Sequence, residues 1–333
     1  KKKSLNIYIA YIHMRFTSLL LCFTSVISVP SFDTFVRVYD KTYSNALEYA
    51  KKQTIYDNNV DKITYLQKKH PEIDFAMNRF GDLDDQEFHE HMKGFQQSHR
   101  TNHCEDYSFQ ELSVPASWDW RENGAVSSVK DQGQCGSCWS FSAAGAMEGA
   151  WAISTGNLVN ISEQQLVDCS TKYVNFGCNG GDMDHAFEYA IDQGMCLNSE
   201  VPYIAESGTC SDAEKSCTKI AHFSSCVDVP SQDQVSLQEA VYVSPVSVAI
   251  EADTSVFQFY KSGILTSEMC GTELDHGVLV VGYGTEDNQD YWIVKNSWGE
   301  SWGENGYIRI AKSSSTTHDG ICGIAMQPSF IRV

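Results

Sequence analysis

The sequence predicts an α+β fold with a helical half, a β-rich half and a cleft between them. Helical patterns fill the chain up to Gly194, whereas short β-branched and aromatic runs bounded by Gly, Asp and Asn prevail beyond about residue 240. A charged segment of helical character precedes both halves. The 333 residues suffice for one or two domains with complete cores.

The first helical segment, residues 46–70, carries regularly spaced residues on one face among many charges. These residues are Ile55, Asn59, Ile63 and Leu66. A short extended piece from Phe75 to Phe80 follows, and then a helix capped by Asp82 or Asp84. The polar stretch QQSHRTNHCEDYSFQELS, residues 96–113, lacks periodicity and is typical of a linker.

The helical half contains three further predicted helices. The first begins near Cys138 and is apolar nearly all round, which predicts that it is buried. The second begins at Ser162, which forms a capping box with Gln165. The third, in DMDHAFEYAIDQG, ends at Gly194. Four runs in the second half predict strands: SPVSVAIEA, HGVLVVGYG, DYWIVKNSW and GYIRIAKS.

The net charge of −19 is concentrated in the C-terminal two-thirds of the chain. From Leu112 onward there are 28 Asp and Glu against 10 Lys and Arg, whereas the first 111 residues hold 15 and 14. This acidity argues against nucleic acid or an anionic membrane surface as a partner. It suits work at low pH, where carboxylates are protonated, and equally a merely soluble surface.

Ten of the twelve cysteines lie between Cys135 and Cys322, a density that predicts disulfides and an oxidising compartment. The apolar run FTSLLLCFTSVIS is too short to span a bilayer and predicts a signal peptide cut after Ser28. Residues 1–28 are thus interpreted as upstream residues and a signal peptide, with a membrane anchor as the alternative. The mature protein is expected in the secretory pathway, in a lysosome or vacuole or outside the cell.

The pair Cys135 and Cys138 in DQGQCGSCWSFS could bind zinc, cycle as a dithiol or divide into a structural and a reactive sulfur. Zinc would need a second close pair of ligands, and a thioredoxin-like dithiol would need a βαβ context; the sequence offers neither. Cys138 lies at a predicted helix N-terminus, where unpaired N–H groups favour a thiolate. We therefore interpret Cys138 as a nucleophile.

Three residues elsewhere could complete a site for attack on a carbonyl group. His276 heads a strand and could exchange protons with the thiol, and Asn296 ends the next strand and could orient the imidazole beside Trp298. Gln132 could donate to the developing oxyanion together with the Cys138 N–H. Alone, His276 could be a core histidine and Asn296 a turn residue, but their joint presence favours a reactive site.

The motif CGSCW, with His276 and Asn296 located 138 and 158 residues after Cys138, resembles the signature of papain-family cysteine proteases of the cathepsin L type. The resemblance extends from about Phe32 to Phe330. It implies a papain-like two-domain fold, with a helical left half, a β-barrel-like right half, the active-site cleft between them and a helical propeptide in front. It also implies roles: Cys138 as nucleophile, His276 as general acid and base, Asn296 as orienting residue and Gln132 in the oxyanion hole.

The resemblance implies substrate-binding residues as well. Gly181, in GCNGGDM, would hydrogen-bond an extended peptide. The pocket for the second residue before the scissile bond, P2, would be lined by Met183, Ala249, Leu274 and Gln327. Because three of these four are apolar, we expect a bulky apolar P2 side chain, with some tolerance of polar ones from Gln327. Asp275 would modulate the site, and Trp298 would shield it.

The family's pro-segment is matched in part. Its inhibitory-helix pattern appears as Glu48, Lys52, Tyr56, Asn59, Ile63 and Gln67, with Lys, Tyr and Gln in place of Arg, Phe and Asn. Its second motif appears as AMNRFGD, with Ala76 in place of Gly. The resemblance thus implies an inhibitory propeptide at residues 29–111 and a mature peptidase domain at 112–333, starting between Ser108 and Val114. We hypothesise that protonation of carboxylates such as Asp82 weakens propeptide packing in acid.

By the same resemblance the cysteines form three disulfides: Cys135–Cys178, Cys169–Cys210 and Cys270–Cys322. Cys196, Cys217 and Cys226 are additional; Cys196–Cys217 is the favoured pair among them, which leaves an odd cysteine. Asn160 begins the sequon NIS and is a candidate for glycosylation, although Ser162 is also a helix cap.

The sequence therefore predicts a cysteine endopeptidase made as a zymogen and activated by propeptide removal at acidic pH. It would act through an acyl-thioenzyme without a metal or organic cofactor. Expected partners are protein and peptide substrates, its own propeptide and cystatin-like inhibitors, with no nucleic acid and no stable membrane insertion, and the expected state is a monomer. The alternative is a non-catalytic papain-fold binding or storage protein, which would be expected to lack the nucleophile that this chain retains.

Overall fold

The computed structural model describes residues 29–92, 94–97, 104–108, 112–215, 217–266 and 269–333. The predicted signal peptide lies outside these residues. Within them, every helix is too short or too polar to cross a membrane.

Helices occupy the N-terminal segment and the first part of the remaining chain, as predicted, but two short helices that were not predicted also lie among the strands of the second half. Their bounds are α1 Phe32–Val38, α2 Ala46–Lys69, α3 Asp85–Met92, α4 Cys138–Thr155, α5 Glu163–Cys169, α6 Met183–Gln193, α7 Cys210–Lys215, α8 Gln234–Val243 and α9 Ser255–Phe259. The predicted caps are present: the Asp84 carboxylate accepts from the Glu87 N–H at 2.9 Å, Ser162 caps α5 through the Gln165 N–H, and Gly194 ends α6.

The strands form one large sheet and one small one. Their bounds are β1 Asp74–Phe75, β2 Glu105–Asp106, β3 Trp118–Asp119, β4 Ser225–Asp228, β5 Val246–Ile250, β6 Tyr260–Ser262, β7 Ile264–Leu265, β8 His276–Glu286, β9 Gln289–Lys295, β10 Tyr307–Ala311 and β11 Ser329–Arg332. The large sheet has the order β2-β4-β11-β5-β8-β9-β10-β7, with β3 beside β8. The four predicted runs are β5, β8, β9 and β10.

Two hydrophobic cores flank the line along which α4 meets β8. Helix α4 is buried along most of its length, as its all-round apolar surface predicts. It packs directly on β8: the Ser142 hydroxyl donates to the Val278 carbonyl at 2.7 Å, and Gly145 leaves room for the side chain of Leu279. This packing brings the N-terminus of α4 beside the first residue of β8.

The N-terminal helices form a unit with its own aromatic cluster, centred on Phe32, Phe35 and Tyr56. The four residues predicted to share one face of α2 are all buried. The predicted extended piece is shorter than expected: β1 ends at Phe75, because Asn78 closes a turn by accepting from the Phe80 N–H at 3.0 Å.

This N-terminal unit is attached to the rest of the protein through main-chain and side-chain hydrogen bonds. Strand β1 pairs antiparallel with β6. Asn78 donates to the carbonyl of Gln258, and the Gln258 amide donates to the carbonyls of Phe80 and Leu83 at 3.0 and 3.1 Å. These hydrogen bonds therefore attach the N-terminal unit to the half of the protein that contains the sheet.

The described cysteines form five disulfides. Three are the pairs that the resemblance implies, Cys135–Cys178, Cys169–Cys210 and Cys270–Cys322, and a fourth joins Cys196 to Cys217. The expectation of an odd cysteine is wrong, because Cys226 pairs with Cys104, which lies in the predicted linker. The linker prediction is also wrong for Glu105–Asp106, since these residues form β2 at the edge of the large sheet.

Candidate active site

Cys138 is the first residue of α4, and its side chain is fully buried. Its Sγ accepts a hydrogen bond from the Gly277 N–H at 3.3 Å, which ties the thiol to the start of β8. It is the one free cysteine among the described residues. The opening pair of the motif is thus divided, with Cys135 in a disulfide and Cys138 unmodified.

His276, Asn296 and Trp298 lie together, on and just after two paired strands. The Nε2 atom of His276 is 2.8 Å from Oδ1 of Asn296, while the other ring nitrogen, Nδ1, has no hydrogen-bond partner among the described residues. The Trp298 ring lies 4.8 Å from the imidazole, between centroids, and is itself buried. If Nε2 carries a proton, Nδ1 is the basic nitrogen.

Gln132 is held just before the disulfide loop by two contacts with Ser297. Its main-chain N–H donates to the Ser297 carbonyl at 2.8 Å, and its Oε1 accepts from the Ser297 hydroxyl at 2.6 Å. The amide nitrogen donates one hydrogen to the Cys135 carbonyl at 3.2 Å, and an amide has a second to offer. Ser297 was not singled out from the sequence, although its position directly after Asn296 could have suggested it.

Burial controls the protonation of both reactive groups. It raises the pKa of the Cys138 thiol to about 12, an effect that the Gly277 N–H only partly offsets. It lowers the pKa of His276 to about 4, although the bond to Asn296 acts in the opposite direction. A lowered thiol pKa is expected at a helix N-terminus, but here desolvation is the larger effect. Near neutral pH both groups are therefore uncharged in this structure.

Comparisons with known proteins decide the family. Residues 114–332 match the model of the papain family cysteine proteases, and residues 32–88 match the cathepsin propeptide inhibitor domain. The chain belongs to the papain family of cysteine proteases. It is a cysteine peptidase with an N-terminal propeptide, and the papain-like fold inferred from the resemblance is confirmed.

Similar proteins occur in animals and plants. Digestive cysteine proteinase 3 of Homarus americanus is 44% identical over 325 residues, which cover 95% of this chain and 99% of that protein. Cysteine proteinase RD21A of Arabidopsis thaliana is 42% identical over 294 residues, which cover 87% of this chain but 63% of that protein. The structure of digestive procathepsin L 3 of Tenebrio molitor larval midgut superposes with a TM-score of 0.82 at 43% identity, covering 90% of this chain and 97% of that chain.

The segment that follows the matched propeptide domain, which the sequence analysis assigns to the propeptide, lies directly over Cys138. A Cβ atom on Gly94 would be 2.7 Å from the Cys138 Sγ, so only glycine fits there without displacement. The Gly94 carbonyl accepts from the Gly181 N–H at 3.0 Å, and the Gly181 carbonyl accepts from the Gln96 N–H at 2.9 Å. The main chain on both sides of Phe95 is therefore held by Gly181.

Phe95, the next propeptide residue, is buried in the core that contains Met183 and Ala249, with Leu274 packed against it. Gln327 is also buried, and its amide donates to the Asp182 carboxylate at 2.9 Å. Three of the four residues expected to line the P2 pocket thus share a core with the Phe95 ring. Asp182 was not predicted, and its position beside Gly181 in the motif was the available signal.

Asp275 contacts the propeptide through its main chain and the peptidase through its side chain. Its carbonyl accepts from the N–H groups of Gly94 and Phe95 at 3.3 and 3.0 Å. Its carboxylate accepts from the N–H groups of Ala252 and Asp253 at 2.9 and 3.2 Å. Burial and the nearby Asp253 raise the pKa of Asp275 to about 8, although both N–H contacts act in the opposite direction.

The propeptide also caps the shielding tryptophan. The rings of Phe80 and Phe88 pack edge-on against Trp298, at centroid distances of 5.5 and 5.6 Å. These rings add to the burial of Trp298, whose indole packs against His276. The contacts of Phe80 and Phe88 with Trp298 add apolar packing to the hydrogen bonds at Gln258.

Behind the site lies a buried cluster of charges that was not predicted. Lys130 pairs with Glu148 and Glu163, and Lys295 donates to the Ser127 hydroxyl at 3.0 Å. Burial lowers the pKa of Lys295 to about 8, although the neighbouring Glu148 opposes this shift. The cluster joins α4 to the end of β9, next to Asn296. Glu148, a single charge within an apolar helix, was the available sequence signal.

Asn160, the predicted glycosylation site, is exposed, while Ser162 of the same sequon is buried and caps α5. Glycosylation of Asn160 stays a prediction.

Proposed function

We propose that this protein is the zymogen of an endopeptidase that hydrolyses peptide bonds through Cys138, His276 and Asn296. The proposal rests on two hydrogen bonds. One runs from the Gly277 N–H to Cys138 Sγ, and the other joins His276 and Asn296. Together they bring a free thiol, an imidazole and an orienting amide to one end of a cleft already occupied by an extended segment of the same chain.

In the proposed reaction His276 Nδ1 accepts the thiol proton, and Cys138 Sγ forms a bond to the substrate carbonyl carbon. The oxyanion receives hydrogen bonds from the Cys138 N–H and the Gln132 amide. The imidazolium then donates its proton to the leaving amine, and the C–N bond breaks to give an acyl-thioenzyme. His276 next takes a proton from water, whose oxygen attacks the thioester carbonyl carbon. The C–S bond breaks, the carboxylic acid leaves, and the imidazolium returns its proton to the Cys138 thiolate.

The same geometry supports inhibition by the propeptide. A covered Cys138 remains a neutral thiol and a covered His276 a neutral imidazole, so the ion pair needed for attack does not form. The Gly94 carbonyl accepts its hydrogen bond from the Gly181 N–H, a contact of the kind proposed for an extended substrate. The burial and this contact both end when the segment leaves and water enters the cleft.

For specificity we propose a bulky apolar residue at P2. Phe95 supports this preference, because its aromatic ring occupies the same apolar core as Met183 and Ala249. Gln327 keeps its amide bonded to Asp182 and thereby presents a polar group at this end of the cleft.

Activation in acid is proposed to begin at ion pairs of the propeptide. Asp82 is buried and accepts from Lys41 at 2.7 Å and from the Tyr43 hydroxyl at 3.0 Å, and Arg79 pairs with Asp131 of the peptidase. We propose that loss of these contacts in acid loosens the propeptide, in line with the hypothesis for Asp82. A secretory route to a lysosome, a vacuole or the cell exterior fits such activation, and it can be tested by locating the tagged precursor in cells.

The test compares purified wild-type precursor with Cys138→Ser at about pH 5 in a thiol reductant. We expect wild type to shorten to a start near Leu112 and to cleave a fluorogenic peptide with Leu or Phe at P2, whereas Cys138→Ser does neither. Asn296→Ala should retain part of the activity, because it removes the orienting group and not a reacting one. Folded, fully processed wild type that is inert towards a broad peptide library would favour a binding or storage protein instead.

A further inference from the structure

A disulfide crosses the expected boundary between propeptide and peptidase. Cys104 lies on the N-terminal side of the expected start of the mature chain, whereas its partner Cys226 lies in β4 of the large sheet and is fully buried. The two Cα atoms are 4.6 Å apart, although 122 residues separate them in sequence. Cleavage between Cys104 and Val114 therefore leaves the upstream chain covalently attached to the peptidase.

The residues after Cys104 are integrated in the sheet of the peptidase. Strand β2 runs parallel to β4, with Glu105 opposite Val227 and Asp106 opposite Asp228. Arg332 of the neighbouring β11 forms an ion pair with Glu105 at 3.0 Å. In contrast, the propeptide strand β1 pairs with a different strand, β6, in a separate small sheet.

Tyr107 anchors this segment most firmly. Its side chain is 7% exposed and belongs to the hydrophobic core of the sheet, with its ring 6.1 Å from that of Phe330. Its hydroxyl donates to the Glu239 carboxylate at 2.7 Å, and its N–H donates to the Asp228 carbonyl at 2.8 Å. Burial and the Glu239 contact both raise the pKa of Tyr107, so the hydroxyl remains a donor throughout the physiological range.

The disulfide is buried at one end and partly exposed at the other. Cys226 has no exposed surface, whereas Cys104 is partly exposed. Carboxylate oxygens of Asp184 and Asp228, both buried, lie within 4.8 Å of the Cys104 sulfur. A thiol can therefore approach the bond from the Cys104 side alone.

We propose that residues Cys104–Ser108 remain part of the active enzyme as a covalently attached edge strand, while the inhibitory portion of the propeptide departs. The proposal rests on the zymogen function proposed above. It requires a peptide bond to be hydrolysed on the N-terminal side of Cys104. If a second bond near Leu112 is also hydrolysed, the segment becomes a short second chain held by the disulfide.

The test uses precursor with Cys138→Ala, converted by a trace of activated wild-type enzyme from which the reductant has been removed. The product is treated with iodoacetamide, denatured and weighed before and after reduction. We expect the unreduced peptidase to include the mass of residues 104–108. Recovery of a peptidase that begins after Ser108 and carries an alkylated Cys226 would overturn the proposal.

The matched control is the double variant Cys104→Ala/Cys226→Ala, cut in the same way. Once the bond near Leu112 is hydrolysed, the unreduced peptidase of this variant should lack the mass of residues 104–108. After conversion, the variant should melt about 5 °C or more below converted wild-type protein. Equal melting temperatures would show that the segment does not stabilise the enzyme and would overturn its role as an edge strand. If wild-type protein proves inert, trypsin replaces it as the converting protease, so that failure of the proposed function is separated from failure of this inference.

Discussion

Removal of the propeptide should transform the reactivity of Cys138. Burial raises the pKa of this thiol to about 12 in the precursor, against about 8.5–9 for an ordinary cysteine. At pH 7 the thiolate fraction is then about a thousandfold lower than that of an exposed cysteine, because each pKa unit is a factor of ten. Iodoacetamide reacts with the thiolate, so we expect the precursor to be alkylated at least about a thousandfold more slowly than the mature enzyme.

The assay is timed alkylation followed by mass measurement of the peptide that contains Cys138, at several values of pH. In the precursor the rate should keep rising tenfold per pH unit through the neutral range, whereas in the mature enzyme it should be nearly constant there. Gly94→Ala should restore fast alkylation, because its Cβ would lie 2.7 Å from Sγ and displace the segment. Gln97→Ala, at an exposed neighbouring position, is the control. Precursor alkylated as fast as mature enzyme would refute the reasoning.

Three further outcomes are expected. Phe88→Ala removes a ring that packs on Trp298 and should weaken propeptide docking by about 3–5 kcal/mol. The loss should be detected as peptide cleavage by unprocessed precursor at neutral pH, and unchanged suppression would count against this contact. Asp82→Asn removes a buried ion pair with a hydrogen bond, about 1.5–3 kcal/mol, so its precursor should become active at a higher pH than wild type, and an identical pH profile would contradict the acid hypothesis. Gln327→Ala enlarges the pocket beside Asp182 and should raise kcat/KM for Phe over Val at P2 about tenfold, whereas an unaltered ratio would remove Gln327 from the pocket.

Much of the fold could be predicted because local signals and burial agree along most of the chain. Helix α4 begins at Cys138 and β8 at His276, as the apolar pattern and the β-branched run indicate. The candidate active site then forms when α4 and β8, whose first residues are the reactive ones, pack side by side. That packing depends on Gly145 opposite Leu279, a contact between residues distant in sequence, which periodicity cannot reveal.

Long-range pairing also explains what the sequence concealed. The stretch around Cys104 has no periodicity of its own, because β2 is two residues long and obtains its hydrogen bonds from β4. A count of cysteines restricted to the peptidase half therefore left Cys226 without a partner. The raised pKa of Cys138 could not be predicted either, since it depends on a propeptide segment that is folded over the thiol.

The pKa shifts of His276 and Asp275 bear on which groups cause the propeptide to leave the cleft in acid. Covering His276 lowers its pKa from 6.5 to about 4, so opening the cleft takes up a proton in this window and is favoured as pH falls through it. Burial and the neighbouring Asp253 raise the pKa of Asp275 from 3.8 to about 8, so relief of its burial on opening releases a proton, and a fall in pH opposes opening. Between about pH 4 and 6.5 the two groups therefore act in opposite directions.

Because these two groups oppose each other, we expect the acid response to originate outside the cleft, and Glu87 is unsuited to provide it. Burial acts to raise the pKa of Glu87, but hydrogen bonds from Lys52 and Lys51 outweigh it and lower the pKa to about 2, so this carboxylate stays ionised at lysosomal pH. The remaining candidates for the acid response are other paired carboxylates of the propeptide, such as Asp82. Asp275→Asn tests whether Asp275 opposes His276. In this variant the equilibrium constant for opening should rise about tenfold for each pH unit between 6.5 and 4. Opening is measured as labelling of Cys138 by a fluorescent thiol-directed peptide, relative to mature enzyme at the same pH. A slope no steeper than that of wild type would show that Asp275 does not oppose His276.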